Sequence, residues 1–213
     1  MINTLLVEDD LYIQRHFVER FSEEEDIRIV AAVRDAFDAE GLCGQGGIDL
    51  VLMDVLTLHK HSGLAAGKRI REAYPNIKVL IVTSLVDPEV LQQARRGCAD
   101  SLWYKDHGTD AIMDVIRRTM AGGRVIPGFS PSVEMKRCMS EDFTPAQIEI
   151  LRAFIKGYTY REIAEKFNLS VSGVRYNIAE MVRIGGFKNK EELTTVAIEN
   201  KLVVTTLDDG ETE

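Results

Sequence analysis

Glu8, Asp9, Asp54, Thr83 and Lys105 are the residues of this 213-residue chain whose types and places could do chemistry. Each follows a short apolar run: TLLV before Glu8-Asp9, LVLM before Asp54, VLIV before Thr83, SLWY before Lys105. A carboxylate at the tip of a buried run is costly unless its charge is used. If these runs are neighbouring strands of one sheet, the acids converge with an ammonium beside them. Like carboxylates so close cannot all stay ionised without a cation. A hard divalent ion with oxygen ligands, Mg²⁺, resolves the conflict. Such a pocket suits phosphoryl transfer: Mg²⁺ and Lys105 neutralise phosphoryl oxygens, Thr83 donates a hydrogen bond, and Asp54 attacks phosphorus in line.

The elements that must position these residues are legible as alternating strand and helix signals over the first 120 or so residues. TLLV, IRIVAAV, DLVLM, KVLIVTS and SLWY are runs of the kind buried on both faces of a parallel sheet. Between them lie helical patterns: Ile13, Phe17 and Phe21 share one face, and Asp87-Pro88 reads as an N-cap followed by proline at the first helical position. The expectation is an α/β, doubly wound, five-stranded parallel sheet, flavodoxin-like, with ligands bound beyond the carboxyl ends of its strands. This domain is expected over 1–121. A Gly-, Pro- and Ser-containing linker follows over 122–142, with one short helix around Val133–Met139. A small all-α domain is expected over 143–207, its helices near 145–156, 160–167, 171–184 and 190–200, ending in an acidic tail over 208–213. Thr144-Pro145-x-Gln147 and Thr159-x-x-Glu162 are capping boxes, Asn189-x-x-Glu192 resembles a third, and Ser170 caps the helix between.

Composition narrows the function classes. The net charge is −8, but it is unevenly spread: −6 through Ala121, +2 over 143–207 and −4 in the tail. Indiscriminate coating of nucleic acid is excluded by that balance. No apolar run approaches the roughly 20 residues of a membrane span, and MINTLLVEDD lacks the basic start of a signal peptide. Cys43, Cys98 and Cys138 are odd in number and widely spaced, which suits reduced thiols in a cytoplasm. His59-Lys60-His61 lacks metal spacing and reads as a solvated loop. GLCGQGG precedes a strand rather than following one, so it is no dinucleotide loop.

LLVEDD, LVLMDV, VLIVTS and ADSLWYKD, in this order and spacing, resemble the signature segments of the response-regulator receiver domain. The resemblance implies Asp54 as phosphoacceptor, Glu8 and Asp9 as the acidic metal pair, and the carbonyl of Leu56 as a further Mg²⁺ ligand. It implies Thr83 as the switch hydroxyl and Lys105 as the phosphoryl-binding lysine. The chain departs from the family pattern in three places. The loop VLTLHKHSG lacks the usual proline and is about one residue longer. Leu102 stands where the switch aromatic usually is. Glu8 replaces the commoner Asp.

In the second domain, Ile163, Ala164 and Phe167 give one helix an apolar face, NLS makes a turn, and Val171, Val174, Ile178 and Met181 form the stripe of the next. Ser172, Tyr176, Ala179 and Arg183 face away from that stripe, with Arg175 and Asn177 on its flanks. Such a face can enter a major groove, with Lys188 and Lys190 positioning the DNA backbone. LRAFIKGYTYREIAEKFNLS and GFKNKEELTTVAIENKLV resemble the LuxR-type DNA-binding domain, apart from Gly173, Arg175 and Asn177 in the recognition helix.

Receiver plus LuxR-type domain is the NarL/FixJ class of two-component response regulators. That implies a sensor histidine kinase as partner, double-stranded DNA as target, a homodimer on activation, and no enzyme activity beyond slow autodephosphorylation. Two alternatives stay open. One is a regulator that binds DNA without phosphorylation, favoured by the altered loop and Leu102. The other is an aspartyl-phosphate phosphatase, disfavoured by Leu56 where a second acid is usual.

Overall fold

The computed structural model describes residues 1–105 and 109–204; the acidic tail and the last residues of the expected helical domain lie outside them. Five parallel strands, β1 (Ile2–Val7), β2 (Ile27–Val33), β3 (Leu50–Met53), β4 (Lys78–Thr83) and β5 (Ser101–Tyr104), form one sheet in the order β2-β1-β3-β4-β5. Helices α1 (Leu11–Phe21), α2 (Ala36–Gln45), α3 (Gly63–Ala73), α4 (Pro88–Gln93) and α5 (Thr109–Met120) alternate with them. This is the doubly wound architecture expected from the alternation of signals.

All four residues of β3 are fully buried, covered on both faces, and the four residues of the edge strand β5 are buried as well. Leu6, Leu52, Leu80, Val82 and Trp103 from four strands pack with Phe17, Phe21, Ile112 and Ile116 in one core cluster. Each fully buried aliphatic side chain stabilises the fold by about 1.5–3 kcal/mol. The helices start on side-chain caps. Asp10 accepts from Tyr12 N and Ile13 N, Asp35 from Phe37 N, and Ser62 from Ala65 N. α4 ends in a π-helical turn over Ala94–Cys98, where Gly97 takes φ +106°.

Among the described residues, contacts divide the chain into two compact units: residues 1–84 with 88–129, and residues 85–87 with 130–204. The segment 122–142 is thus shared. Its first half is held by the first unit, where Leu102 N donates to Val125 O at 2.9 Å and Val125 N to Ser101 Oγ at 3.0 Å. Its second half is held by the second unit. There the helix expected around Val133–Met139 does not form. Glu134 and Met139 pair in an antiparallel bridge, closed by Met135 N to Cys138 O at 2.7 Å, with Lys136 at φ +69°. Met135 is fully buried in the core, and a bridge that folds back on itself buries it without a helical turn.

Among its described residues the second unit holds the α-helices α6 (Pro145–Ile155), α7 (Tyr160–Lys166), α8 (Val171–Gly185) and α9 (Lys190–Glu199), within a residue or so of the expected bounds. Thr144 and Thr159 form complete capping boxes with Gln147 and Glu162, and Asn189 caps α9 through Glu192 N. Ile148, Leu151, Ile163, Val174, Ile178 and Leu193 meet in its core. Among the described residues no helix is long and apolar enough to cross a membrane.

Candidate functional site

The sheet order makes β1 and β3 neighbours, the point where the winding reverses and a crevice opens. Val7 pairs with Met53 in register, so Glu8 and Asp54 leave the sheet side by side. Asp54 N donates to Val7 O at 3.0 Å and Glu8 N to Val33 O at 3.0 Å, which fixes both backbones. Carboxylate oxygens of Glu8, Asp9 and Asp54 all lie within 4.8 Å of one another. From the far side of the sheet, Lys105 Nζ reaches Glu8 Oε2 at 2.6 Å and Asp54 Oδ2 at 2.8 Å. Asp54 Oδ1 accepts from Val55 N at 2.6 Å.

The pocket is electrostatically incomplete. Glu8 is 2 % exposed, and the side chains of Asp54 and Lys105 are 13 % and 11 % exposed. Burial, with the Asp54 charge adding to it, pushes the Glu8 carboxyl up to about 7. Burial likewise raises Asp54 above the usual carboxylate range, against the pull of Lys105. Burial works against the Lys105 ammonium, but the charges of Asp54 and Glu8 outweigh it and hold its pKa above the ordinary value. One ammonium does not satisfy three acids, and a second, hard cation fits this all-oxygen set.

Four of the expected site residues therefore meet: Glu8, Asp9, Asp54 and Lys105. Thr83 is fully buried at the same end of the sheet, two residues past the Ile81–Met53 pair. Leu56 lies in the loop that leaves Asp54 and is bridged to Ser62. Leu102 is 1 % exposed and aliphatic, so the place of the switch aromatic offers no ring to swing between buried and exposed positions. Trp103 packs in the core with Leu6 and Leu52. His59, Lys60 and His61 are exposed, as expected of a solvated loop, but His61 also has a partner: its Nδ1 lies 2.6 Å from Asp35 Oδ1.

In the second unit α7 and α8 are joined by a tight turn. Asn168 takes φ +53°, and Leu169 N donates to Ala164 O at 2.8 Å. Val174, Ile178 and Met181 are buried on α8 as expected, but Val171 is 37 % exposed. It stands at the first helical position beside the Ser170 cap, ahead of the turn that packs. Ser172, Arg175, Tyr176, Ala179 and Arg183 are exposed, and Tyr176 is 67 % so. Asn177 is spent on its own helix, donating to Gly173 O at 2.9 Å, and Arg183 is paired with Glu180 at 2.6 Å. An added Cβ on Gly173 would come 3.2 Å from Ser170 Oγ, the atom that caps the helix.

Tyr160 and Phe154 escaped the sequence reading. Lys190 Nζ sits 5.1 Å from the Phe154 ring centre and 5.2 Å from that of Tyr160, and the Arg175 guanidinium lies 5.9 Å from the latter. The YTYR stretch next to a capping box was the available signal.

Residues 4–117 match the response regulator receiver domain family. The response regulator protein VraR of Staphylococcus epidermidis is 26 % identical over 210 residues, covering 95 % of this chain and 99 % of that protein, and VraR of Staphylococcus aureus matches equally. Among solved structures, RcsB dimers bound to DNA align with a TM-score of 0.63 at 16 % identity, over 92 % of this chain and 98 % of that one. RcsB of Salmonella enterica serovar Typhimurium, bound to a promoter in the presence of the phosphomimetic BeF₃⁻, aligns at 0.62 and 15 % over the same shares. These neighbours share the fold of both units. With more than half of its length inside the family match, the chain belongs to the response regulator receiver-domain family.

Proposed function

We propose that this response regulator is a DNA-binding transcription factor of the NarL/FixJ class, controlled by Mg²⁺-dependent phosphorylation of Asp54. The observation that carries the reading is the convergence of Glu8, Asp9 and Lys105 on Asp54 at the crevice of the sheet. Glu8, Asp9, Asp54 and the Leu56 carbonyl would hold the ion. When bound, Mg²⁺ neutralises phosphoryl oxygens and the mutual repulsion of the acids.

The chain's own residues do the rest. Asp54 attacks phosphorus in line, forming an acyl phosphate as the bond to the donor breaks. The donor is the phosphohistidine of a sensor kinase or a small acyl phosphate. Lys105 already touches Asp54 and turns its ammonium to the incoming phosphoryl oxygens. The Thr83 hydroxyl donates to the same group. Because Leu102 replaces the aromatic partner, the signal leaves Thr83 through the backbone of the segment after β4 rather than through a swinging ring. Slow autodephosphorylation returns the Asp54 carboxylate.

In the second unit α8 enters the major groove. Ser172, Tyr176, Ala179 and Arg183 lie on the face turned to the groove, with Arg175 and Asn177 at its flanks. Lys188 and Lys190 meet phosphates. The RcsB structures are of dimers on DNA, and a homodimer on a two-fold operator suits this chain. The reduced, unpaired cysteines suit a cytoplasmic protein.

The test treats the protein with an acyl phosphate, with and without Mg²⁺, and reads intact mass and DNA footprint. Wild type gains one phosphoryl group only with Mg²⁺ and then protects DNA; Asp54→Asn gains none. A footprint that ignores the acyl phosphate would favour the phosphorylation-independent regulator. Phosphate gained equally by Asp54→Asn would overturn the assignment.

A further inference from the structure

We propose that His61 is a positioning residue for the Asp54 site, acting through Thr57 to hold the loop that carries the Leu56 carbonyl. This rests on the Mg²⁺-binding reading above and adds residues that reading does not use.

The loop from Asp54 to Gly63 closes like a narrow ladder. Gly63 N donates to Val55 O at 2.9 Å, Leu56 bridges Ser62, and Thr57 Oγ1 donates to His61 O at 2.8 Å. Leu56 thus sits on the rung directly below the Thr57–His61 rung. That top rung is clamped to the segment before α2. Thr57 Oγ1 accepts from Ala36 N at 3.1 Å, and His61 Nδ1 lies 2.6 Å from Asp35 Oδ1. Asp35, Thr57 and His61 so form a closed ring of contacts.

The direction of the His61 bond follows from chemistry. Asp35 is 6 % exposed. Burial raises its carboxyl, but the Phe37 N–H and the His61 imidazole outweigh burial and hold it below the usual range. An ionised carboxylate only accepts, so Nδ1 carries the proton and donates.

The loop needs such a clamp. It lacks proline, and its tip holds two successive non-glycine residues in the left-handed region, His59 at φ +58° and Lys60 at φ +63°. Such backbone persists only where its surroundings over-determine it. Without the clamp the tip relaxes, and the Leu56 rung relaxes with it. Partners one step removed from a metal ligand govern affinity because they fix the ligand's orientation.

The experiment measures Mn²⁺ binding by the loss of the free-ion EPR signal, and in parallel the Mg²⁺ concentration for half-maximal phosphorylation by an acyl phosphate. His61→Leu is expected to weaken Mn²⁺ binding about tenfold, the lower end for an outer partner of a metal ligand. Its half-saturating Mg²⁺ rises in step, while its phosphorylation rate at saturating Mg²⁺ stays that of wild type. His61→Asn, which keeps an N–H donor at the place of Nδ1, restores both values. Thr57→Val opens the same ring at another joint and reads the same way should His61→Leu not fold. Wild-type Mn²⁺ affinity in a folded His61→Leu or Thr57→Val protein would overturn the proposal and leave the Asp54 site standing. Mn²⁺ binding by wild type that Asp54→Asn leaves unchanged would overturn the site itself, and the proposal with it.

Discussion

Gly63 shows how little room Asp54, the proposed phosphoacceptor, has around it. A Cβ built there would lie 1.8 Å from the carbonyl oxygen of Asp54 and 2.9 Å from the Met53 side chain. Neither can yield, since one is backbone and the other is packed in the sheet. Gly63→Ala must therefore push α3 away from β3. It is expected to cost about 3 kcal/mol, the upper end of overpacking penalties, read by urea denaturation, and to lower phosphorylation of whatever folds. The acids beside it make a second case. Glu8 is pushed from 4.5 up to about 7 in the folded chain, chiefly by burial and then by Asp54. A raised carboxyl binds more protons folded than unfolded. Its contribution to stability is therefore full below pH 4.5 and is lost as pH rises to about 7. Without divalent ions, melting curves across that window should fall more steeply for wild type than for Glu8→Gln. Added Mg²⁺ at pH 8 should stabilise wild type and leave Asp54→Asn nearly unmoved. Equal pH slopes in the two proteins would count against burial as the cause.

Elements differ in how far their sequence announces them. The sheet was legible because each strand carries a short aliphatic or aromatic run, and because Glu8-Asp9, Asp54, Thr83 and Lys105 all stand where such runs stop. The helices of the second unit were legible from Thr144, Thr159, Ser170 and Asn189, whose side chains cap them in the structure. The bridge at Glu134–Met139 was not, because helix and hairpin compete for the same apolar residues and burial of Met135 decides between them. The Asp35–His61 contact was hidden too, since it joins residues 26 apart in two loops without periodicity. So was the Tyr160 ring, which ties the starts of α7 and α9 to the first half of α8 through Lys190 and Arg175. This last contact has a measurable consequence. Held over the ring, both cations are ordered before DNA arrives, which lowers the entropic cost of binding. Tyr160→Ala is expected to weaken operator binding about two- to fivefold, matching the ~0.5–1 kcal/mol of an exposed cation–π contact. Tyr160→Phe keeps the ring and should bind as wild type. Loss in the Phe variant would assign the effect to the hydroxyl, which accepts from Lys190 at 3.4 Å.

At the scale of the whole chain, charge is the constraint on how the regulator finds its site. The first 121 residues carry −6 and repel a polyanion, while 143–207 carry only +2. Affinity for arbitrary DNA is then low, and selection between sites rests on few contacts. Arg175, Lys188 and Lys190 are the expected cations on the DNA-facing surface that no carboxylate holds by a close double contact, whereas Arg183 is gripped by Glu180 at 2.6 and 2.9 Å. If those three meet phosphates in each protomer of a dimer, about six counterions leave per complex, and the slope of log affinity against log salt is about −5. Lys188→Ala should shrink that slope by about 2 in a dimer, and lower affinity for specific and unrelated DNA alike. Arg183→Ala should leave the slope unchanged. A slope near half that size, with Lys188→Ala removing only about 1, would mean that a single protomer holds the DNA. A steeper slope would mean that Arg183 lets go of Glu180 when phosphates compete for it, which Arg183→Ala would then reveal by losing the same increment.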